Sequence, residues 1–227
     1  MDGILVVDKP QGWTSHDVVD FIRTRFGFKK VGHAGTLDPM ATGVLVVLIG
    51  SLTKSSSLFS ADDKEYEATL TLGAESDTGD ADGKISDSGK PANYSRREIE
   101  DVFKEFLGEI EQRPPMYSAI KIKGERLYKL ARRGIDVAVG SRKICIKNIE
   151  ITDIKLPEVS FRVTCSKGTY VRSLAVDIGK ALGCGAYLSR LKRTRSGRFG
   201  IDGAIKIDKI KTMVNPDLER SLIQCGL

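Results

Sequence analysis

Asp38 is the side chain in this sequence best placed to do chemistry. It lies in Gly-His-Ala-Gly-Thr-Leu-Asp-Pro-Met-Ala-Thr-Gly-Val-Leu, residues 32–45. A carboxylate can attack an electrophilic carbon and then leave again, so this is a candidate nucleophile. Gly32, Gly35 and Gly43 allow close backbone approaches, while Pro39 fixes its own φ and biases Asp38 toward an extended backbone. The carboxylate direction is thereby restrained before any packing acts. Asp-Pro is also an ordinary turn dipeptide, so the loop by itself leaves a structural role open.

Other chemistries fit the sequence poorly. Residues 79–84 have the wrong spacing for a phosphate-binding Walker loop and are followed by Ile85. The acidic Asp80-Ala-Asp82-Gly83 has some likeness to a calcium loop, but in that register the first ligand is Thr78 and the last is Gly89, so calcium is rejected. Cys145, Cys165, Cys184 and Cys225 form no Cys-x-x-Cys pair and there are two histidines, which argues against structural zinc and suits reduced thiols.

These residues need a scaffold. A chain of 227 residues with 41% hydrophobic residues can bury a sizeable core. The longest apolar run, residues 44–49, suits a buried strand and is too short to span a membrane. The start has no basic region or cleavage site, so the expectation is a cytoplasmic protein. Net charge is +6, and its distribution is uneven: residues 121–143 hold eight Lys or Arg against Glu125 and Asp136. Residues 167–198 hold eight against Asp177, whereas residues 61–82 hold eight acids against Lys64. Such clusters fit either a solvated mixed-charge surface or the footprint of a structured polyanion.

The periodicities give an α+β pattern. A short strand at 3–8 precedes a helix with Ser15 as N-cap, Val18, Ile22 and Phe26 inward and Gly27 as its stop. Residues 65–72 alternate strictly, with Tyr66, Ala68, Leu70 and Leu72 on one face. Ser95-Arg-Arg-Glu98 is a capping box opening a helix that ends at Gly108. Residues 113–140, with two prolines and a basic amphipathic stretch at 125–133, read as a surface helix or as an excursion from the core. Strands are expected at 142–153, 159–166 and 186–193, and a helix at 169–182 closed by Gly183.

Several segments resemble, in order, the motifs of the TruB family of tRNA pseudouridine-55 synthases. These are Asp2-Gly-Ile-Leu-Val-Val-Asp-Lys-Pro10 with Gly12-Trp-Thr-Ser-His-Asp-Val-Val19, the Asp38 loop, Lys64-Glu-Tyr66, Thr71-Leu-Gly73 and Asp77-Thr-Gly-Asp-Ala-Asp-Gly83. Pro114-Pro-Met-Tyr-Ser-Ala119, Gly168-Thr-Tyr-Val-Arg-Ser-Leu174 and Leu188-Ser-Arg-Leu-Lys-Arg193 complete the series over residues 2–200. The resemblance implies a pseudouridine synthase core: a mixed, mainly antiparallel sheet with flanking helices and a cleft. It makes residues 1–200 the catalytic domain, favours the excursion reading of 113–140, and leaves 201–227 as a tail too short for the PUA domain of many relatives.

The implied reaction converts uridine 55 of the tRNA T-loop to pseudouridine on a flipped-out base, with no cofactor, metal or obligate protein partner. Asp38 is the nucleophile, and Arg172 pairs with it and keeps it ionised. Tyr66 lies against the base and serves in proton transfer. Tyr170 lines the pocket, Leu191 closes its apolar wall, and His33 fills or braces the opened T-loop; Lys9 and Pro10 are scaffold beneath the Asp38 loop. Three other readings compete: an RNA chaperone, a guide-RNA-dependent catalytic subunit, and a glycosidase, which wants a second cooperating acid.

Overall fold

The computed structural model describes residues 1–122, 124–135 and 137–224. Along the chain it forms β1 (Gly3–Lys9), α1 (Ser15–Phe26), β2 (Val31–Ala34), β3 (Thr42–Ile49), α2 (Ser56–Ser60) and β4 (Lys64–Leu72). Next come β5 (Ala74–Ser76), β6 (Ile85–Asp87), α3 (Arg96–Glu105), β7 (Gly108–Gln112), β8 (Lys121–Ile122), β9 (Glu125–Arg126) and α4 (Leu127–Arg132). The remainder is β10 (Arg142–Lys155), β11 (Glu158–Cys165), α5 (Val171–Leu182), β12 (Ala186–Ser196), β13 (Phe199–Gly200), β14 (Ile205–Lys206), α6 (Ile207–Thr212) and α7 (Asn215–Ser221).

The contacts divide the chain into one unit of Met1–Glu67 with Leu191–Leu227 and another of Ala68–Arg190. In the first unit the strand order is β14-β1-β3-β12, with β2 on β3 and β13 on β12. Ile4, Leu5 and Val7 of β1 and every residue from Val44 to Ile49 of β3 are fully buried. A continuous apolar run of this kind marks a strand covered on both faces. In the second unit β4, β11, β10 and β7 are hydrogen-bonded in that order. Here Phe103 of α3 meets Phe161 of β11 edge-on, with ring centroids 5.3 Å apart. Pairing is antiparallel for β1/β3, β2/β3, β10/β11 and β10/β7, and parallel for β1/β14 and β3/β12, so the sheet is mixed and mainly antiparallel.

Local signals explain most element ends. Ser95 and Glu98 make the capping box of α3, and left-handed Gly27 and Gly183 close α1 and α5. The N-cap of α1 is Thr14, which exchanges bonds with Asp17, rather than Ser15. Ser15 is displaced from that role because its hydroxyl is engaged elsewhere, as described below. Helix α3 stops at Glu105, two residues short of Leu107, and Gly108 begins β7 instead. Within residues 73–94, β5 and β6 pair as a small antiparallel hairpin.

Candidate active site

The Asp38 loop joins β2 to β3 in the first unit, and buried side chains grip it on both sides of the carboxylate. Before it, Ser15 Oγ accepts from Leu37 N at 2.8 Å and donates to Leu37 O at 3.1 Å. After it, Pro39 O accepts from Lys9 Nζ at 3.3 Å and from Gly12 N at 2.9 Å. The same fully buried ammonium donates to Pro10 O at 2.9 Å and Trp13 O at 2.5 Å. A buried cation is tolerable when its donors are met, and here main-chain carbonyls meet them. Lys9 therefore lies beneath this loop as the Lys-Pro motif suggests.

A second buried cation fixes the loop's stems. Arg193, 1% exposed on β12, donates Nε to Val44 O at 2.7 Å and Nη2 to Gly35 O at 3.0 Å. Its main chain explains Gly43, whose φ is +97° and whose added Cβ would lie 2.2 Å from Arg193 O. No side chain fits there, so the parallel strands β3 and β12 meet at Gly43 and Arg193.

Three more expected residues belong to this unit. His33 on β2 pairs with Val47 of β3; its Nδ1 is buried with no hydrogen-bond partner among the described residues. Burial, then the nearby Arg193 and His16 side chains, lower its pKa, which favours the neutral ring. Tyr66 is 8% exposed on β4 and heads the buried row Tyr66, Ala68, Leu70 and Leu72 that the alternation requires. Thr69, on the opposite parity, is buried too, because its hydroxyl bonds Ser160 at 3.0 Å. Leu191, 8% exposed on β12, directly precedes the Lys192–Thr42 pair where the loop returns to β3.

Tyr170 and Arg172 belong to the second unit, at the start of α5. Arg172 is 3% exposed and donates Nη1 to Thr78 O at 3.0 Å and Nη2 to Tyr117 O at 2.8 Å. Its Nε lies 3.4 Å from Asp80 Oδ2, an ion pair with both side chains buried. Sequence reasoning placed Asp80 in a rejected calcium loop and in a family motif, and gave it no role of its own. The second Asp80 oxygen accepts from Thr78 Oγ1 at 2.6 Å and Asp82 N at 3.1 Å, so the carboxylate is well satisfied. The available signal was its place inside a quoted motif, between turn-forming Gly79 and Gly83.

The main chain of Tyr170 is held by buried Gln112, and the Arg142 guanidinium lies 4.9 Å from its ring centroid. The basic segment is largely open: among the described residues of 113–140, Pro114, Ser118 and Leu127 are buried. Its helix, α4, is shorter than the expected amphipathic stretch. Arg126 and Arg132 approach the Tyr128 ring at 6.0 and 5.6 Å, an exposed mixture of cation and aromatic suited to phosphate and base. Cys145, Cys165 and Cys184 carry no disulfide; Cys225 lies outside the described residues. Among the described residues no helix is long and apolar enough to cross a membrane.

The family model for TruB family pseudouridylate synthase (N terminal domain) matches residues 23–171, and that for the tRNA pseudouridylate synthase B C-terminal domain matches 172–224. The chain is 45% identical to tRNA pseudouridine synthase B of Opitutus terrae over 223 residues, 98% of this chain and 92% of that protein. It is 50% identical to tRNA pseudouridine synthase B of Clostridium tetani over 210 residues, 92% of this chain and 73% of the relative. Among solved structures it is similar to a chain of a Cbf5-Nop10-Gar1 complex, with TM-score 0.72 and 35% identity over 92% of this chain. It is also similar to a chain of an H/ACA RNP bound to a substrate RNA containing 2′-deoxyuridine, with TM-score 0.71 and 31% identity over 98% of this chain. It spans 53% and 56% of those two solved chains. The pseudouridine synthase fold, the motif order and matches over nearly the whole length agree: the chain belongs to the TruB family of pseudouridylate synthases.

Proposed function

We propose that this chain isomerises uridine 55 in the T-loop of tRNA to pseudouridine. The observation that carries the reading is the Asp38 loop, gripped at Leu37 by Ser15 and at Pro39 by Lys9 in a member of this family. A nucleophile must be held in a near-attack position, and fixing the backbone on either side of its Cα does this at no cost during the reaction. In the isomerisation the N1–C1′ bond breaks, the uracil turns, and C5 bonds to C1′. The C5 proton then leaves and N1 carries a proton, so the sum needs no oxidant, reductant or added group. Asp38 forms and releases a covalent bond to the nucleotide.

The other assignments follow from the motifs. Tyr66 lies against the base and takes part in proton transfer, and Leu191 closes the apolar wall. His33, neutral and with an unmet buried nitrogen, braces the loop from which the uridine leaves. Arg172 keeps the nucleophilic carboxylate charged and Tyr170 lines the pocket. Residues 113–140 bind the RNA backbone, residues 1–200 form the catalytic domain, and the protein acts in the cytoplasm without a protein partner. Mass spectrometry of unmodified tRNA incubated with the purified chain alone tests this. The expected product is one pseudouridine, at position 55; unmodified tRNA after incubation with folded protein excludes the reading.

A further inference from the structure

The first turn of α5 carries Tyr170 and Arg172 and is fastened from the two ends of one excursion. Gln112 acts on Tyr170 as a partner strand would: its Nε2 donates to Tyr170 O at 3.1 Å and its Oε1 accepts from Tyr170 N at 2.8 Å. Tyr170 occupies the N-cap position of α5, and its side chain makes no capping bond. The conformation of this turn thus depends on groups outside the helix. Ser173 Oγ donates to Arg113 O at 3.0 Å, and Arg172 Nη2 donates to Tyr117 O at 2.8 Å. From the other end, Arg142 stacks its guanidinium on the Tyr170 ring and donates to Gly168 O.

Gln112 is the last residue of β7, Arg142 is the first of β10, and the two face each other in register. Between them runs the basic excursion. Gln112 is 1% exposed, so a carboxamide has been buried at this stem with both of its polar ends on one residue. We propose that Gln112 and Arg142 are a paired positioning clamp that ties the RNA-facing excursion to the pocket turn bearing Tyr170 and Arg172. RNA seated on the excursion loads both stems at once, and each stem ends on Tyr170. A misplacement of about 1 Å at a substrate-positioning group lowers turnover by roughly 100-fold, so a clamp of this kind acts on rate more than on affinity. The proposal rests on the functional reading above.

The test uses the full chain with unmodified tRNA, measuring the single-turnover rate at saturating enzyme, the Kd for tRNA and the melting temperature. Gln112→Met, close in volume but without the paired polar ends, is expected to lower the rate about 30–100-fold while Kd stays within about threefold. Arg142→Lys keeps the charge but loses the flat stacking surface, and is expected to lower the rate about tenfold at unchanged Kd. Wild-type rates in both variants overturn the clamp. So does the opposite split, in which Arg142→Gln raises Kd, saturating rate is unchanged and Arg142→Lys restores binding, because that pattern belongs to a phosphate contact. Should Gln112→Met fail to fold, the partly exposed Arg142→Lys decides the matter by itself. A wild-type chain that makes no pseudouridine is a separate result, and overturns the function and not the clamp.

Discussion

The Asp38 loop and the basic excursion are both rich in glycine or proline, yet they are built on opposite principles. Around Asp38 the loop is fixed by Lys9, Ser15 and Arg193, each 2% exposed or less and each bonded to main-chain carbonyls. In residues 113–140 the described cations point outward, Arg126, Lys129, Arg132 and Arg133 among them, while Leu127 is fully buried. Burying cations under a loop is expensive unless every donor is met, and it yields rigidity. Outward cations on a short helix yield attraction for a polyanion and little stability. On the proposed function the difference separates two tasks, holding a reacting group and recruiting its substrate.

The comparison is broken most directly at the proposed nucleophile. Asp38→Asn keeps the loop's size, so fold and tRNA binding should persist while single-turnover rate falls by about 10³-fold or more. A rate near wild type would remove Asp38 as the nucleophile. Lys9→Met comes next, since it withdraws one ammonium from three carbonyls. Each carbonyl left unsatisfied costs about 1–3 kcal/mol, so denaturant unfolding should register a large loss and the saturating rate should fall with it.

Ser15→Ala sharpens the contrast at one point, because it frees both Leu37 N and Leu37 O. A destabilisation of about 1–3 kcal/mol is expected, with a slower rate at unchanged tRNA affinity. Arg126→Gln with Arg132→Gln tests the other region. The pair should weaken tRNA binding and lower the slope of log K against log salt by about 0.7–0.9 for each phosphate no longer neutralised, leaving saturating rate near wild type. An unchanged salt slope would show that these cations do not face the RNA backbone.

The smallest effect concerns His33. Burial and the nearby cations hold its folded pKa below the ordinary 6.5, so folding favours the neutral ring. The stability it contributes is complete above the unfolded value and is lost as pH falls from there through the lower folded value. His33→Gln should flatten the stability–pH curve in that window alone, as read by thermal melts between about pH 5 and pH 7.5, a range set by the ordinary histidine value.

Much of this architecture is legible along the chain because its signals are local. The apolar run of β3, the alternation of β4 and the capping box of α3 are each contained within one element, and each forms as its pattern requires. What is misread or passed over lies where a distant partner intervenes. Ser15 looks like a helix cap, but Leu37, 22 positions away, takes its hydroxyl. Asp80 looks like part of a poor calcium loop, but Arg172, 92 positions on, makes it half of a buried ion pair. Gln112 carries no motif value by itself and acquires a role through Tyr170, 58 positions later.

The order and types of the motifs determined by themselves the family and the sequence of strands and helices, and they single out Asp38 as the candidate carboxylate, since periodicity, caps and motif spacing act over short stretches of chain. Tertiary structure alone decided which buried cations grip the Asp38 loop, that Asp80 is buried against Arg172, and what holds Tyr170. Those choices depend on desolvated polar groups finding partners, and a buried donor is satisfied by whichever carbonyl the fold brings within about 3 Å, however far away it lies in the chain.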